Sequence, residues 1–206
     1  MNVEQVMRLA PVIPVLVIHD AGQACAIAEA LVAGGLCALE VTLRTPAALD
    51  VIREMSKVDG AVVGAGTVLN PRDLDAAQAA GARFIVSPGL TEPLARAAAS
   101  SHIPLLPGIA NAGDIMRGLD LGLDRFKFFP AEAAGGMKAL QALSAPFGAA
   151  RFCPTGGITV DSAAAWLALP SVICVGGSWL VGANDTPDMI REKAAQAVAC
   201  LGRKTL

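Results

Sequence analysis

The sequence predicts an α/β fold in one domain, residues 1–206, built as a (β/α)8 barrel of the TIM type with a short extra N-terminal helix. Three observations predict it. Short apolar runs alternate with longer alanine-rich stretches of helical period, the order that builds a parallel sheet. The alternation recurs eight times at near-equal spacing along the 206 residues. No Gly-x-Gly-x-x-Gly follows the first run, as an open dinucleotide-binding sheet would carry.

The expected strands are VIPVLVI (12–18), CALEVTL (37–43), AVVGAGTV (61–68), FIVSPG (84–89), PLLPGIA (104–110), RFKFFP (125–130), RFCPTGG (151–157) and ICVGGSWL (173–180). Capping residues followed by proline or an acid mark helix starts at Thr45-Pro46, Asn70-Pro71 and Thr91-Glu92. Glycines mark helix ends at Gly34-Gly35, Gly81 and Gly122. Residues 2–10 read as the extra helix, closing the barrel bottom.

A net charge of -2 without a basic or acidic block excludes a nucleic-acid or anionic-membrane footprint, so the expected partner is a small molecule. Only 17% of residues are charged and 54% are hydrophobic, against a usual charged share of about 25%. So apolar a surface predicts a homo-oligomer. The run from Leu9 to Ile18 is broken by Pro11 and Pro14 and follows Glu4 and Arg8, unlike a signal peptide. No other run approaches the roughly 18 apolar residues of a membrane span. The five cysteines (Cys25, Cys37, Cys153, Cys174 and Cys200) are odd in number and contain no C-x-x-C, which points to a reducing cytoplasm rather than a disulfide framework or a zinc site. His19 and His102 belong to opposite ends of the barrel, so no metal centre is expected.

In such a barrel the chemistry lies at the C-terminal ends of the strands, and alternation decides which side chains point inward. In the second strand Ala38, Glu40, Thr42 and Arg44 share the inward face, with Leu39, Val41 and Leu43 toward the helices. In the sixth, Arg125, Lys127 and Phe129 share a face while Phe126 and Phe128 pack outward. Lys57, Lys138, Lys193 and Lys204 fall on helical stretches or tails; only Lys127 sits in a strand. An interior lysine is expensive unless paired or neutral. Two readings stay open: a Lys127–Glu40 ion pair that serves structure alone, or a nucleophile near the strand-ending Pro130. Phenylalanine neighbours would keep water away, a neutral amine adds to a ketone, and Glu40 can carry the protons.

PTGGI (154–158) and VGGSWL (175–180) place glycine pairs on the last two strands, where this architecture often holds phosphate on backbone N–H groups. Thr67 shares a face with Val63 and Ala65 and is expected to point inward with its hydroxyl unspent, the alternative being a hydrogen bond near the following helix. Arg44 suits either a carboxylate clamp or a salt bridge to a loop acid. Pro88 reads more simply as a turn.

These residues resemble a known family. LEVTLRT and FKFFPAE, with ALVAGG, VGAGTVLNP, SPGLTEP, PLLPGI, RFCPTGGI and VGGSWL, are similar to the bacterial 2-keto-3-deoxy-6-phosphogluconate aldolases, including bifunctional enzymes that also act on 4-hydroxy-2-oxoglutarate. The resemblance runs from about Val12 to Leu180. It implies a class I aldolase, free of cofactor and metal, in which Lys127 forms an imine with the keto carbon and Glu40 is the general acid/base. It further implies that Arg44 and Thr67 hold the pyruvyl carboxylate and that Pro88 and Phe129 line the pyruvyl pocket. Thr155 would contact aldehyde-side hydroxyls, and Gly156, Gly157, Gly177 and Ser178 would cradle the phosphate of a phosphorylated keto acid. A homotrimer is implied as well. The chain departs from the family at Ala110-Asn111-Ala112-Gly113, where a Ser-Thr-rich loop is usual, and after Leu180. The alternatives are a 2-keto-3-deoxy-6-phosphogalactonate aldolase, a sugar-phosphate isomerase or epimerase, and a non-catalytic barrel that binds sugar-acid phosphates.

Overall fold

Strand and helix alternate throughout the computed structural model, which describes residues 1–201. Lys204 lies outside the described residues. The elements are α1 (Val3–Met7), β1 (Val12–Leu16), α2 (Ala24–Ala33), β2 (Ala38–Thr42), α3 (Ala48–Met55), β3 (Val62–Gly66), α4 (Pro71–Ala79), β4 (Phe84–Val86), α5 (Glu92–Ser100), β5 (Leu105–Leu106), β6 (Gly108–Ile109), α6 (Ala112–Asp120), β7 (Arg125–Phe128), α7 (Gly136–Ser144), β8 (Arg151–Pro154), α8 (Val160–Leu167), β9 (Val175–Gly177) and α9 (Pro187–Leu201). None of the described helices is long and apolar enough to cross a membrane.

The strand pairs are all parallel and fall into two curled sheets, ordered β5-β4-β3-β2-β1-β9 and β6-β7-β8. Single bridges from Phe152 to Val172 and from Thr155 to Gly176 join β8 to the β9 side. At the other junction only Pro107 separates β5 from β6. The expected strand 104–110 is therefore two short strands, because proline has no N–H to give a ladder. The expected strands 151–157 and 173–180 also end early, at Pro154 and Gly177, where the glycine turns begin.

Of the three expected N-terminal caps one forms: Asn70 accepts from the Asp73 amide ahead of α4. Asn111, which was not among them, accepts from the Asp114 amide ahead of α6. Thr45 does not cap α3: its hydroxyl donates to Ile18 O at 2.7 Å and ties the turn after β2 to β1. Thr91 stands at the start of α5 but its side chain caps nothing.

Apolar residues occupy both strand faces, as covered parallel sheets require. Leu39, Val41, Val63, Ala65, Ile85, Phe126, Phe128 and Phe152 belong to the core shared with the helices. Ala38, Phe84, Val86, Leu106, Cys153 and Cys174 form a second, interior cluster with Val6 and Met7 of α1. Each buried phenylalanine contributes about 1.5–3 kcal/mol of transfer free energy. Arg125 reaches the same short helix, donating to Glu4 Oε2 at 2.7 and 3.1 Å. Helix α1 thus closes the N-terminal end of the sheets, and the opposite end is left for chemistry.

Candidate active site

Two strands from different sheets supply the central pair. On β2 the buried run Ala38–Thr42 alternates, so Glu40 faces the interior between the helix-facing Leu39 and Val41. On β7 the outward Phe126 and Phe128 leave Lys127 inward, in register with Gly108 of β6 and Cys153 of β8. Lys127 Nζ donates to Glu40 Oε1 at 3.0 Å, and the two side chains are 7% and 3% exposed. At such burial neither charge has water to turn to, so each depends on the other. The Phe129 ring centroid lies 5.2 Å from the same nitrogen.

Small residues make room for this pair. A Cβ on Gly66 would collide with the Glu40 carboxylate, and one on Gly108 would strike the Pro88 carbonyl. Pro88 therefore packs on the strand next to Lys127, a closer engagement than the turn expected from sequence. Ser87, 1% exposed beside it, donates to Gly89 O at 2.7 Å and fixes the end of β4.

Arg44 stands exposed on the turn after β2. Its partner is a hydroxyl rather than a loop acid: Nε donates to Thr42 Oγ1 at 3.1 Å, and that hydroxyl donates to Leu16 O at 2.9 Å. Thr67 lies just beyond β3 with φ of 59°, so alternation does not carry through to it. The face it was expected to share also differs. Val63 and Ala65 pack toward the helices, and the interior positions of β3 are Gly64 and Gly66. A threonine held in the left-handed region costs about 1–3 kcal/mol, a strain concentrated at functional sites.

The glycine pairs meet across β8 and β9. Thr155, 5% exposed, bridges to Gly176, and a Cβ on Gly176 would collide with the Thr155 hydroxyl. Gly156 and Gly157 follow with φ of 100° and 81°, two successive left-handed residues that only glycine adopts without strain. Among the described residues the amides of Gly156, Gly157 and Ser178 meet no protein acceptor. Gly177 is covered by the Trp179 ring, and Ser178 is exposed. Backbone donors left without a protein partner in this way suit an oxyanion.

Lys127, Glu40 and Phe129 are therefore brought together, with Thr155, Gly156, Gly157, Gly177 and Ser178 grouped on the adjoining strand ends. Arg44 and Ser178 make no hydrogen bond to the central pair. Sequence reasoning missed Gly66, Gly108 and the anchoring hydroxyl of Thr42. The signal for Gly66 was the GAG spacing, which puts Gly64 and Gly66 on one face. A cavity of ≈ 780 Å³ lies elsewhere, lined by Val17, His19, Asp20, Val181 and Asn184 after β1 and β9.

A family model described as KDPG and KHG aldolase matches residues 3–198. A 2-dehydro-3-deoxy-phosphogluconate aldolase of Zymomonas mobilis is 61% identical over 190 residues, covering 92% of this chain and 91% of that one. The crystal structure of the 2-keto-3-deoxy-6-phosphogluconate aldolase of Zymomonas mobilis ZM4 with 3-phosphoglycerate superposes with a TM-score of 0.95 at 58% identity, covering 98% of this chain and 97% of that one. The KDPG aldolase of Legionella pneumophila, with pyruvate captured at low pH as a covalent carbinolamine intermediate, gives a TM-score of 0.93 at 44% identity, covering 96% and 98%. With likeness of this degree along nearly the whole length, the chain belongs to the KDPG and KHG aldolase family.

Proposed function

We propose that this protein is a class I aldolase that cleaves 2-keto-3-deoxy-6-phosphogluconate to pyruvate and glyceraldehyde 3-phosphate through an imine on Lys127. The observation that carries the proposal is the buried 3.0 Å contact from Lys127 Nζ to Glu40 Oε1. Through it the lysine can pass its proton to the carboxylate without solvent, and the freed amine attacks the C2 ketone. Glu40 supplies the protons that turn the carbinolamine into an iminium and water. The iminium then draws electrons from the C3–C4 bond as Glu40 removes the C4 hydroxyl proton. Glyceraldehyde 3-phosphate leaves, and an enamine of pyruvate stays on Lys127. Protonation at C3 and hydrolysis release pyruvate and restore the amine.

The remaining roles are those that the family likeness implies. Arg44 and Thr67 hold the pyruvyl carboxylate, Arg44 by a fork whose terminal nitrogens are left over from its bond to Thr42. Pro88 and Phe129 line the pyruvyl pocket. Thr155 meets the aldehyde-side hydroxyls, and Gly156, Gly157, Gly177 and Ser178 receive the phosphate. No metal or cofactor enters the cycle. The two sheets, joined by the bridges from β8 and the continuous chain through Pro107, support a closed eight-stranded barrel over one domain, residues 1–206. Exposed Leu69, Met116, Leu119 and Val160 are compatible with association of copies, and we take the homotrimer and the cytoplasmic location from the family likeness.

Pyruvate release by purified protein tests the reading on three substrates: the gluconate-type phosphate, its galactonate epimer and 4-hydroxy-2-oxoglutarate. The first is expected to turn over fastest, and Lys127→Ala to abolish release. Release by Lys127→Ala, or none by the wild type, would overturn it. A sugar-phosphate isomerase or epimerase would release no pyruvate.

A further inference from the structure

Three hydrogen bonds tie the end of β7 and the segment after it to Thr155 and Gly156 at the end of β8. Thr155 N donates to Phe128 O at 3.0 Å, Ala131 N to Thr155 O at 2.8 Å, and Glu132 N to Gly156 O at 3.1 Å. The glycine turn thus hangs on the segment that follows the lysine strand. Its tightest contact is with Glu132: a Cβ on Gly157 would lie 2.7 Å from both Cβ and Cγ of that residue. Glu132 is in turn fastened at its far end, where Oε1 accepts from Trp166 Nε1 at 3.1 Å. Trp166 is fully buried on α8, the helix that the glycine turn leads into, and its ring packs 6.4 Å from Phe128. A buried indole N–H requires an acceptor, and Glu132 is the acceptor it has.

We propose that Glu132 is a positioning residue for phosphate recognition: fixed to Trp166, it holds Gly156 and Gly157 in the conformation whose amides receive the phosphate. This rests on the aldolase reading above. A carboxylate repels phosphate, so its part is played through geometry rather than contact. Gly156 and Gly157 have access to many backbone states, and a turn of two successive glycines keeps one conformation only where its surroundings impose it. Glu132 imposes it from two sides, through its own amide on Gly156 O and its aliphatic stem on Gly157.

The test compares wild type, Glu132→Ala, Glu132→Gln and Trp166→Phe on 2-keto-3-deoxy-6-phosphogluconate and on 4-hydroxy-2-oxoglutarate, which carries no phosphate. Glu132→Ala is expected to raise KM for the phosphorylated substrate about tenfold, with kcat within about twofold and KM for the unphosphorylated one unmoved. Glu132→Gln keeps an oxygen for the indole and is expected to behave as wild type. Trp166→Phe removes the donor and is expected to repeat the alanine pattern, and it decides the matter if Glu132→Ala does not fold. An unchanged KM for the phosphorylated substrate in Glu132→Ala, or equal rises in both KM values, would overturn the proposal. Borohydride trapping with pyruvate in the same preparations keeps the readings apart: an adduct with unchanged KM sinks the positioning role alone, whereas no adduct in the wild type sinks the aldolase reading.

Discussion

The carboxylate of Glu40 lies over the Cα of Gly66, on the neighbouring strand, at a distance that leaves no space for a methyl group. Gly66 is not in the left-handed region, so alanine there meets no backbone strain, and the collision falls on the carboxylate. Gly66→Ala is expected to lower kcat for aldol cleavage by about a hundredfold while the protein stays folded, because general acid–base catalysis depends on the reach of the acid. Steady-state kinetics beside a melting curve would check it. Undiminished kcat would show that Glu40 has other positions from which to work.

The same pair predicts a stability pattern. Removing one partner of a buried ion pair leaves a charge without water or counter-ion, at a cost of about 3–5 kcal/mol. Glu40→Leu is expected to lose that much in urea unfolding. Adding Lys127→Met should recover most of it, since a well-packed apolar pair is often as stable as the ion pair it replaces.

Thr42 couples Arg44 to the sheet by accepting from its Nε while donating to Leu16 O. Thr42→Val keeps the shape and loses both bonds. It is expected to raise KM for pyruvate in the reverse condensation about fivefold to tenfold, with Thr42→Ser restoring it. Equal losses in both variants would point to packing by the methyl group instead.

The N-terminal clasp carries a pH signature. Glu4 is held below its ordinary value of 4.5, first by its hydrogen bond from Arg125 and then by that from Arg8. A carboxyl lowered on folding adds stability that is complete above its unfolded pKa and is lost as pH falls through the lower folded one. The melting-temperature gap between wild type and Glu4→Gln is thus expected to hold from neutral pH to about 5 and to close toward pH 3. A gap that widened on acidification would contradict this account.

Strand positions and the inward Glu40 and Lys127 were legible in the sequence because β2 and β7 alternate cleanly, with a charged residue set among apolar ones. β3 was not. Its residues are apolar or glycine on both faces, so periodicity could not tell the interior Gly64 and Gly66 from the helix-facing Val63 and Ala65. The face assigned to Thr67 was misread for a related reason, since its left-handed backbone breaks the period it was judged by. Pro107 could have announced the break between β5 and β6, for proline in a strand interior removes a ladder bond. The anchoring of Glu132 by Trp166 spans 34 residues, and no local pattern reports such a contact.

Incubation of the wild type with pyruvate and borohydride, followed by peptide mass mapping, tests the central claim most directly. A reduced pyruvyl adduct is expected on Lys127, formed more slowly in Glu40→Gln. An adduct on Lys57, Lys138, Lys193 or Lys204 instead, or no adduct at all, would contradict the role given to Lys127.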